Sequence, residues 1–529
     1  MKKIFTLVAM AIFAFGTMMA GWQPSDTEAT RLDKEGAEGQ VQMKTIHTDD
    51  GKIILSWLRP ERVNEVFSYT LHLQLFDAAG NPQFGDEGIV VCDKATRSWT
   101  TDYSLAMADN GDILLAYNDS RNDTGDGEVT EVYLYRYNQQ GEPVWDPDGI
   151  VFSSWMLDQE AYMAEDVAPQ ICVSGENIYV AVSHVEYPNY TTHWEVIRVN
   201  DDGTVAPTMP TAIACRMLVT RPAPEGSLYC VYENANLGFD AMRLDEDLVG
   251  MWDEPITIEE RVISNGRYVP TPLAQTDDEG GLFLSYRVLE SFTGYQVLNY
   301  LTPEGAFLAE APSCNGSIDG DAGTAAIGVK DDMAFVAWEY DFGNFFMNVN
   351  VLDAAGGYCW PDESALGRSL DENDMWGFTP VKVIPQEDGW VLLYGNSTSW
   401  NGAKFMVVKL DELGVEVWRK QIGEDEFKSS GFSVAYDEKY AYIFFTQEEQ
   451  YDDNWNVIPG SSGMFVMCVD IAGDEPTPSS SVQDVVAGQP VSVEVFTLDG
   501  KRVNEMESGV YIVRSTDANG NITIRKVRK

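Results

Sequence analysis

Short apolar runs, most of them closing on a large side chain, recur along the chain at nearly even intervals: Ile53–Trp57, Ile113–Tyr117, Ile178–Val182, Leu228–Tyr232, Leu282–Tyr286, Ala334–Trp338, Trp390–Tyr394 and Ala441–Phe445. Their last positions lie 60, 65, 50, 54, 52, 56 and 51 residues apart. Runs this short, rich in β-branched and aromatic residues and bounded by turn residues, predict strands covered on both faces. A polar turn precedes most of them, as at Asp49–Gly51, Asp109–Gly111 and Gln386–Gly389. About twenty residues farther on, another strand-like run meets a second turn: Leu71–Phe76 leads into Asp77–Gly80, and Val132–Tyr137 into Asn138–Gly141. The same turn returns at Asn200–Gly203, Thr302–Gly305, Asp353–Gly356, Asp411–Gly414 and Asp470–Gly473, with an irregular copy at Asp245–Gly250. An Asx side chain at the first position can bond its own backbone, and glycine at the fourth accepts the positive φ that reverses the chain. Four residues after that glycine an aromatic often follows: Phe84, Trp145, Trp360, Trp418.

Each unit of roughly 55 residues therefore holds four strands, in the first copy Gln42–His47, the apolar run, Leu71–Phe76 and Gly88–Cys92. A unit that small cannot bury its own apolar face, and four antiparallel strands repeated in series predict propeller blades. The expected fold is all-β: an eight-bladed β-propeller over residues 21–473. The apolar strand should lie on the inner, doubly buried side of each blade, with the tryptophans packed between blades. The last copy shows no fourth strand before a linker at 474–481, and residues 23–40 are expected to supply it. That would close the ring and leave no open edge. A solenoid or two sandwiches are the competing architectures.

The C-terminal stretch has a different rhythm. Val491–Val503 alternates apolar and polar residues around Asp499-Gly500, Gly509–Arg514 is a second short strand, and Ile522–Lys529 follows Asn519-Gly520. Such runs broken by Asp-Gly and Asn-Gly indicate antiparallel hairpins. The order of these motifs resembles the type A C-terminal sorting domain of the type IX secretion system, over residues 482–529. The residues that carry the resemblance are Leu498, Gly500, Arg502, Val503, Gly509, Tyr511, Val513 and, in the basic terminus, Lys526. The resemblance implies a small β-sandwich-like domain and delivery across the outer membrane of a Bacteroidota-type bacterium by the type IX machinery. Surface attachment or release would follow removal of the domain. At the other end, Lys2 and Lys3 precede an apolar run, Ile4–Phe15, and Ala20 offers a cleavage point, the layout of a signal peptide over 1–20. No later stretch is apolar enough to cross a bilayer as a helix, so no transmembrane segment is expected once the signal is removed.

The formal charge of −49 sits almost wholly in residues 21–479, which carry −52. Such a body repels nucleic acid and anionic membranes, and neither is expected as a partner. Seven cysteines are scattered without C-x-x-C spacing, and the four histidines have no metal-ligand spacing. Buried free thiols are the expectation for several, with disulfides left open.

The loops that leave the apolar strands should gather on one face of the ring. Their charged residues are the candidate ligand-binding set: Arg59, Asp119, Arg121, Glu186, Glu233, Arg287, Glu339 and Asp341. A mixed ring of arginines and carboxylates suits a polar extracellular ligand, and equally fits ordinary loop polarity. The leading expectation is a binding or interaction module for glycan, peptide or protein. The alternative is a sialidase-like glycoside hydrolase, in which paired acids would act on the glycosidic bond; its catalytic residues cannot be placed on this sequence. No cofactor is expected. A calcium contact is left open at Asn122, Asp126 and Glu128, which begin like a calcium loop, but Tyr133 stands where the bidentate glutamate belongs.

Overall fold

The apolar runs become the second strands of eight four-stranded antiparallel sheets in a computed structural model of the chain. The structure describes residues 22, 24–33, 41–63, 66–94, 96, 102–122, 129–151, 164–186, 191–206, 211–260, 271–290, 293–306, 313–317, 325–341, 345–355, 357, 359–360, 367–373, 377–399, 402–427, 432–447, 463–473, 492–497, 502–503, 510–516 and 522–528. The signal segment 1–20 and the linker 474–481 lie outside them.

Blade 1 is ordered Val41–His47, Ile53–Val63, Val66–Phe76, Ile89–Cys92 from the inside outwards. Blade 2 repeats it with Tyr103–Met107, Ile113–Asp119, Val129–Tyr137 and Ile150–Val151. The inner strands of blades 3 to 8 are Ala164–Ser174, Leu218–Pro222, Leu273–Thr276, Ala325–Lys330, Phe378–Gln386 and Phe432–Tyr436. Each inner strand packs on the next, and Phe432–Tyr436 returns to Val41–His47, which closes the circle. Short extra pairings link blade 2 to blade 3 (Val129–Thr130 with Ala164–Glu165) and blade 5 to blade 6 (Ser317 with Asp341).

The apolar run stands one place out from the axis, and the polar-flanked leading strand of each unit takes the inner edge. The physical reason is coverage. A second strand has hydrogen-bonded neighbours on both edges and packed blades on both faces, so Ile113–Asp119 is buried at every position. An inner strand has one edge on the channel, and in Tyr103–Met107 four of five residues are only partly buried.

Closure follows the expected route. Thr30 and Arg31 pair with Val466 and Phe465 of the last blade, while the backbone N–H of Ser25 donates to the Cys468 carbonyl at 2.8 Å. Trp22 packs against Phe76 of blade 1 and against Tyr442 and Phe444 of blade 8, with ring centroids 5.0, 5.3 and 5.8 Å away.

The second turn of each unit is also a lock between blades. Asp77 Oδ1 accepts the backbone N–H groups of Ala79 and Asn81, and Asp411 Oδ1 those of Leu413 and Val415. The glycine that ends the turn offers a bare Cα to an aromatic of the preceding blade. Phe84 sits on Gly141, Trp145 on Gly203, Trp252 on Gly305 and Trp360 on Gly414, while Trp22 sits on Gly80. The irregular fourth copy keeps the register by another residue: Leu248, at φ +60°, fills the glycine slot, and Trp252 stands four residues on.

The chain divides into two units, Met1–Pro476 and Thr477–Lys529. The described residues of the second form one antiparallel sheet in the order Arg502–Val503, Ser492–Thr497, Val510–Thr516, Ile522–Arg528. Arg502, Val503, Tyr511, Val513 and Lys526 lie on its strands; Leu498, Gly500 and Gly509 are outside the described residues. Six described cysteines are free, and five of them are buried.

Candidate functional site

Second strands end, and inner strands begin, on one face of the ring. A cavity of about 530 Å³ opens there, built from the inner strands of blades 1 to 5 and lined by Lys44, Asp102, Gln170, Arg216, Arg221 and Glu233, among others. On the opposite face a cavity of about 950 Å³ lies among blades 1, 7 and 8, with His47, Lys382, Tyr436 and Asp437 in its wall.

At the first mouth each described carboxylate holds a cation. Arg216 Nε donates to Glu233 Oε2 at 2.8 Å, and its NH2 group bonds the other oxygen, a two-pronged pair that fixes both groups. Lys44 Nζ donates to Asp102 Oδ1 at 2.9 Å and to the Tyr103 carbonyl, and lies 4.8 Å from the Tyr103 ring centre. Tyr103 is fully buried, its hydroxyl 2.8 and 2.9 Å from the carbonyls of Ser56 and Gln42, and burial raises its pKa far above the usual phenol value. Gln170 ties blade 3 to blade 4: its Nε2 donates to the Leu218 carbonyl at 2.7 Å and its Oε1 accepts the Thr220 N–H at 3.1 Å. Arg221 reaches from blade 4 to blade 5, donating from Nε to the Ala274 carbonyl at 2.6 Å and from NH1 to the Thr220 carbonyl at 2.7 Å.

The residues expected from sequence are placed differently from one another. Glu233 lines the mouth. Asp119 is wholly buried, and Arg121 grips it through Nε (3.0 and 3.1 Å) and NH2 (2.7 Å) while lying 3.7 Å over the Tyr133 ring. That cluster secures the start of the loop after the second strand of blade 2. Arg59 is half-buried in the middle of Ile53–Val63, and Arg287 is buried within Leu282–Glu290. Glu339 accepts the backbone N–H of Phe378, which joins blade 6 to blade 7. Glu186 and Asp341 end their strands, and their side chains are outside the described residues. Asn122 donates to Glu131 at 2.6 Å and to Tyr133 at 2.9 Å, and Asp126 and Glu128 are outside the described residues. Among the described residues, no group of three or more His, Cys, Asp or Glu could hold a metal ion.

Lys44, Asp102, Arg216, Arg221 and Lys382 were not foreseen. They stand on inner strands or just before them, whereas sequence reasoning looked to the loops that leave the second strands on the same face. The available signal was a lysine or arginine interrupting a leading strand of small and apolar residues.

No protein-family model matches this chain, and no curated protein matches it. Solved structures similar to it include puromycin hydrolase, at 13% identity and TM-score 0.39 over 82% of this chain and 62% of that one. An ulvan lyase, a polysaccharide lyase, is similar at 9% identity and TM-score 0.40 over 75% of this chain and 96% of that one. The NanB sialidase of Streptococcus pneumoniae is similar at 9% identity and TM-score 0.34, over 87% and 72%. The chain thus spans about three-fifths of the puromycin hydrolase (62%).

Proposed function

We propose that this chain is an exported bacterial protein, held at the cell surface or released, whose propeller binds a polar extracellular ligand at the channel mouth. Residues 482–529 act as its type IX sorting domain, and 1–20 as its signal peptide. The observation that carries the binding reading is the state of the mouth carboxylates. Glu233 gives both oxygens to Arg216, and Asp102 Oδ1 accepts from Lys44. A glycosidase acid must instead be able to give a proton to the leaving oxygen. The mouth is therefore a surface of fixed charge and hydrogen-bonding groups, suited to holding a saccharide or a peptide end.

A glycan array with a fluorogenic glycoside panel, run on the full chain and on Arg216→Ala, tests this reading. The expected result is a bound polar saccharide, affinity reduced about tenfold in the variant as a charge-assisted contact is lost, and no turnover. Turnover by wild type, or binding unchanged in Arg216→Ala, would overturn it.

A further inference from the structure

We infer that the cavity on the face opposite the mouth is a second ligand site, for a saccharide that carries a carboxylate: Lys382 and Tyr436 hold the carboxylate, and His47 and Asp437 share a hydroxyl. The site is separate from the mouth and does not depend on the reading of it. The cavity, about 950 Å³, lies where the ring closes, walled by the inner strands of blades 7, 8 and 1. Each strand brings to it a polar side chain with a group left unbonded: Lys382 from Phe378–Gln386, Tyr436 from Phe432–Tyr436 and His47 from Val41–His47.

Other polar groups of the inner strands are committed. Lys44 meets Asp102, and the hydroxyls of Thr45 and Ser433 join at 2.8 Å. Lys330 Nζ donates to the carbonyls of Gln386 and Glu387 at 2.6 and 2.7 Å, and Arg221 to those of Ala274 and Thr220. At the cavity the pattern breaks. Lys382 Nζ and the Tyr436 hydroxyl have no hydrogen-bond partner among the described residues, and Nζ stands 5.5 Å from the centre of the Tyr436 ring. His47 Nε2 is buried, also without a hydrogen-bond partner. Asp437 Oδ2 lies 3.7 Å from it, beyond a direct bond yet near enough for one hydroxyl to reach both. The other oxygen, Oδ1, serves its own turn, accepting the backbone N–H groups of Lys439 and Tyr440 at 2.7 and 2.6 Å.

Charge and shape then select the ligand. Burial weakens the hold of Lys382 on its proton, since an enclosed ammonium without a counter-charge is unfavourable. Other buried lysines here have their counter-charge: Lys409 meets Asp388, and Lys420 meets Asp26. A carboxylate supplies what Lys382 lacks, and as an acceptor-only group it suits an ammonium beside a phenol hydroxyl. A metal ion would be repelled by the same ammonium. Ile46 and Pro385 add apolar wall, which suits the C–H face of a sugar ring.

The test is lysine acylation of the full chain, read by mass spectrometry, in sodium glucuronate, in sodium chloride at equal ionic strength and in glucose. Lys94, which lines neither cavity, is the internal control. Glucuronate should slow acylation of Lys382 severalfold relative to chloride and leave Lys94 unchanged, and glucose should slow neither. In calorimetric titration with glucuronate, Lys382→Met should lose about tenfold in affinity and Tyr436→Phe less, as a charged and a neutral contact are removed, while Lys94→Met binds like wild type. Lys382 acylation indifferent to glucuronate or slowed equally by glucose, Lys382 unlabelled even in chloride, or affinity unchanged in Lys382→Met would overturn the inference. Protection of Lys382 together with array binding unchanged in Arg216→Ala would sink the mouth reading alone. Array binding lost in Arg216→Ala, with Lys382 indifferent to glucuronate, would sink only this one.

Discussion

His72 lies flat on Trp57, the ring centres 5.2 Å apart and the planes 16° from parallel, with its Nε2 2.9 Å from Thr70 Oγ1. Burial lowers its pKa to about 4, the Arg59 charge adding to the effect and Glu87 opposing it. The unfolded chain, with a value near 6.5, binds this proton first as pH falls. Stability therefore declines between pH 6.5 and 4, and the loss is complete below the folded value, on the order of 3 kcal/mol for this group. Urea midpoints measured across that window should slope less in His72→Gln than in wild type; parallel curves would refute the assignment. Leu248 illustrates a different residue-level compromise. Its φ of +60° is unfavourable for a branched side chain, but the side chain is buried in the core that blades 3 and 4 share. Glycine there would relieve the backbone and forfeit that burial.

Between elements, the contact that repeats is an aromatic of one blade lying on the turn of the next. Gly203 shows what it requires: φ is +84°, and a methyl group would stand 3.1 Å from Trp145, whose Nε1 donates to the Asp201 carbonyl at 3.0 Å. Gly203→Ala should destabilise by about 1–2 kcal/mol, and Trp145→Ala by roughly 3–5 kcal/mol, both read from denaturant unfolding. The double variant should fall short of the sum, since both changes break one contact. Closure is the other element-scale device. Deleting residues 22–33 removes the partner of Gly463–Asp470 and exposes its edge, so the truncated chain should melt lower and scatter light on heating. Unchanged melting would mean that the ring does not depend on this strand.

For the whole molecule, the charge of −49 disfavours the approach of acidic surfaces and of nucleic acid. At physiological ionic strength that field decays over about 8 Å. On the sorting proposal, the C-terminal sheet has a different task. Deleting residues 482–529 should leave the chain in the periplasm of its host, and fusing them to an exported reporter should carry the reporter outside; fractionation of both strains reads the result. Normal export of the deleted chain would end the sorting proposal.

Strand content, blade number and turn positions were legible in the sequence because each is set by residues close together along the chain. An Asx–x–x–Gly turn bonds to itself, and a second strand covered on both faces reads as a short, nearly continuous apolar run whatever surrounds it. Even the strand that closes the ring could be foreseen, from a last unit one strand short. What only the tertiary structure decided depends on residues far apart. It put the apolar run second from the axis, brought Thr30 to Val466, and let Leu248 stand in for a glycine. It also brought Lys44 to Asp102, which are 58 positions apart in the chain. A local pattern records how a segment is covered, and closing the ring chooses which segments, and which charges, meet at its centre.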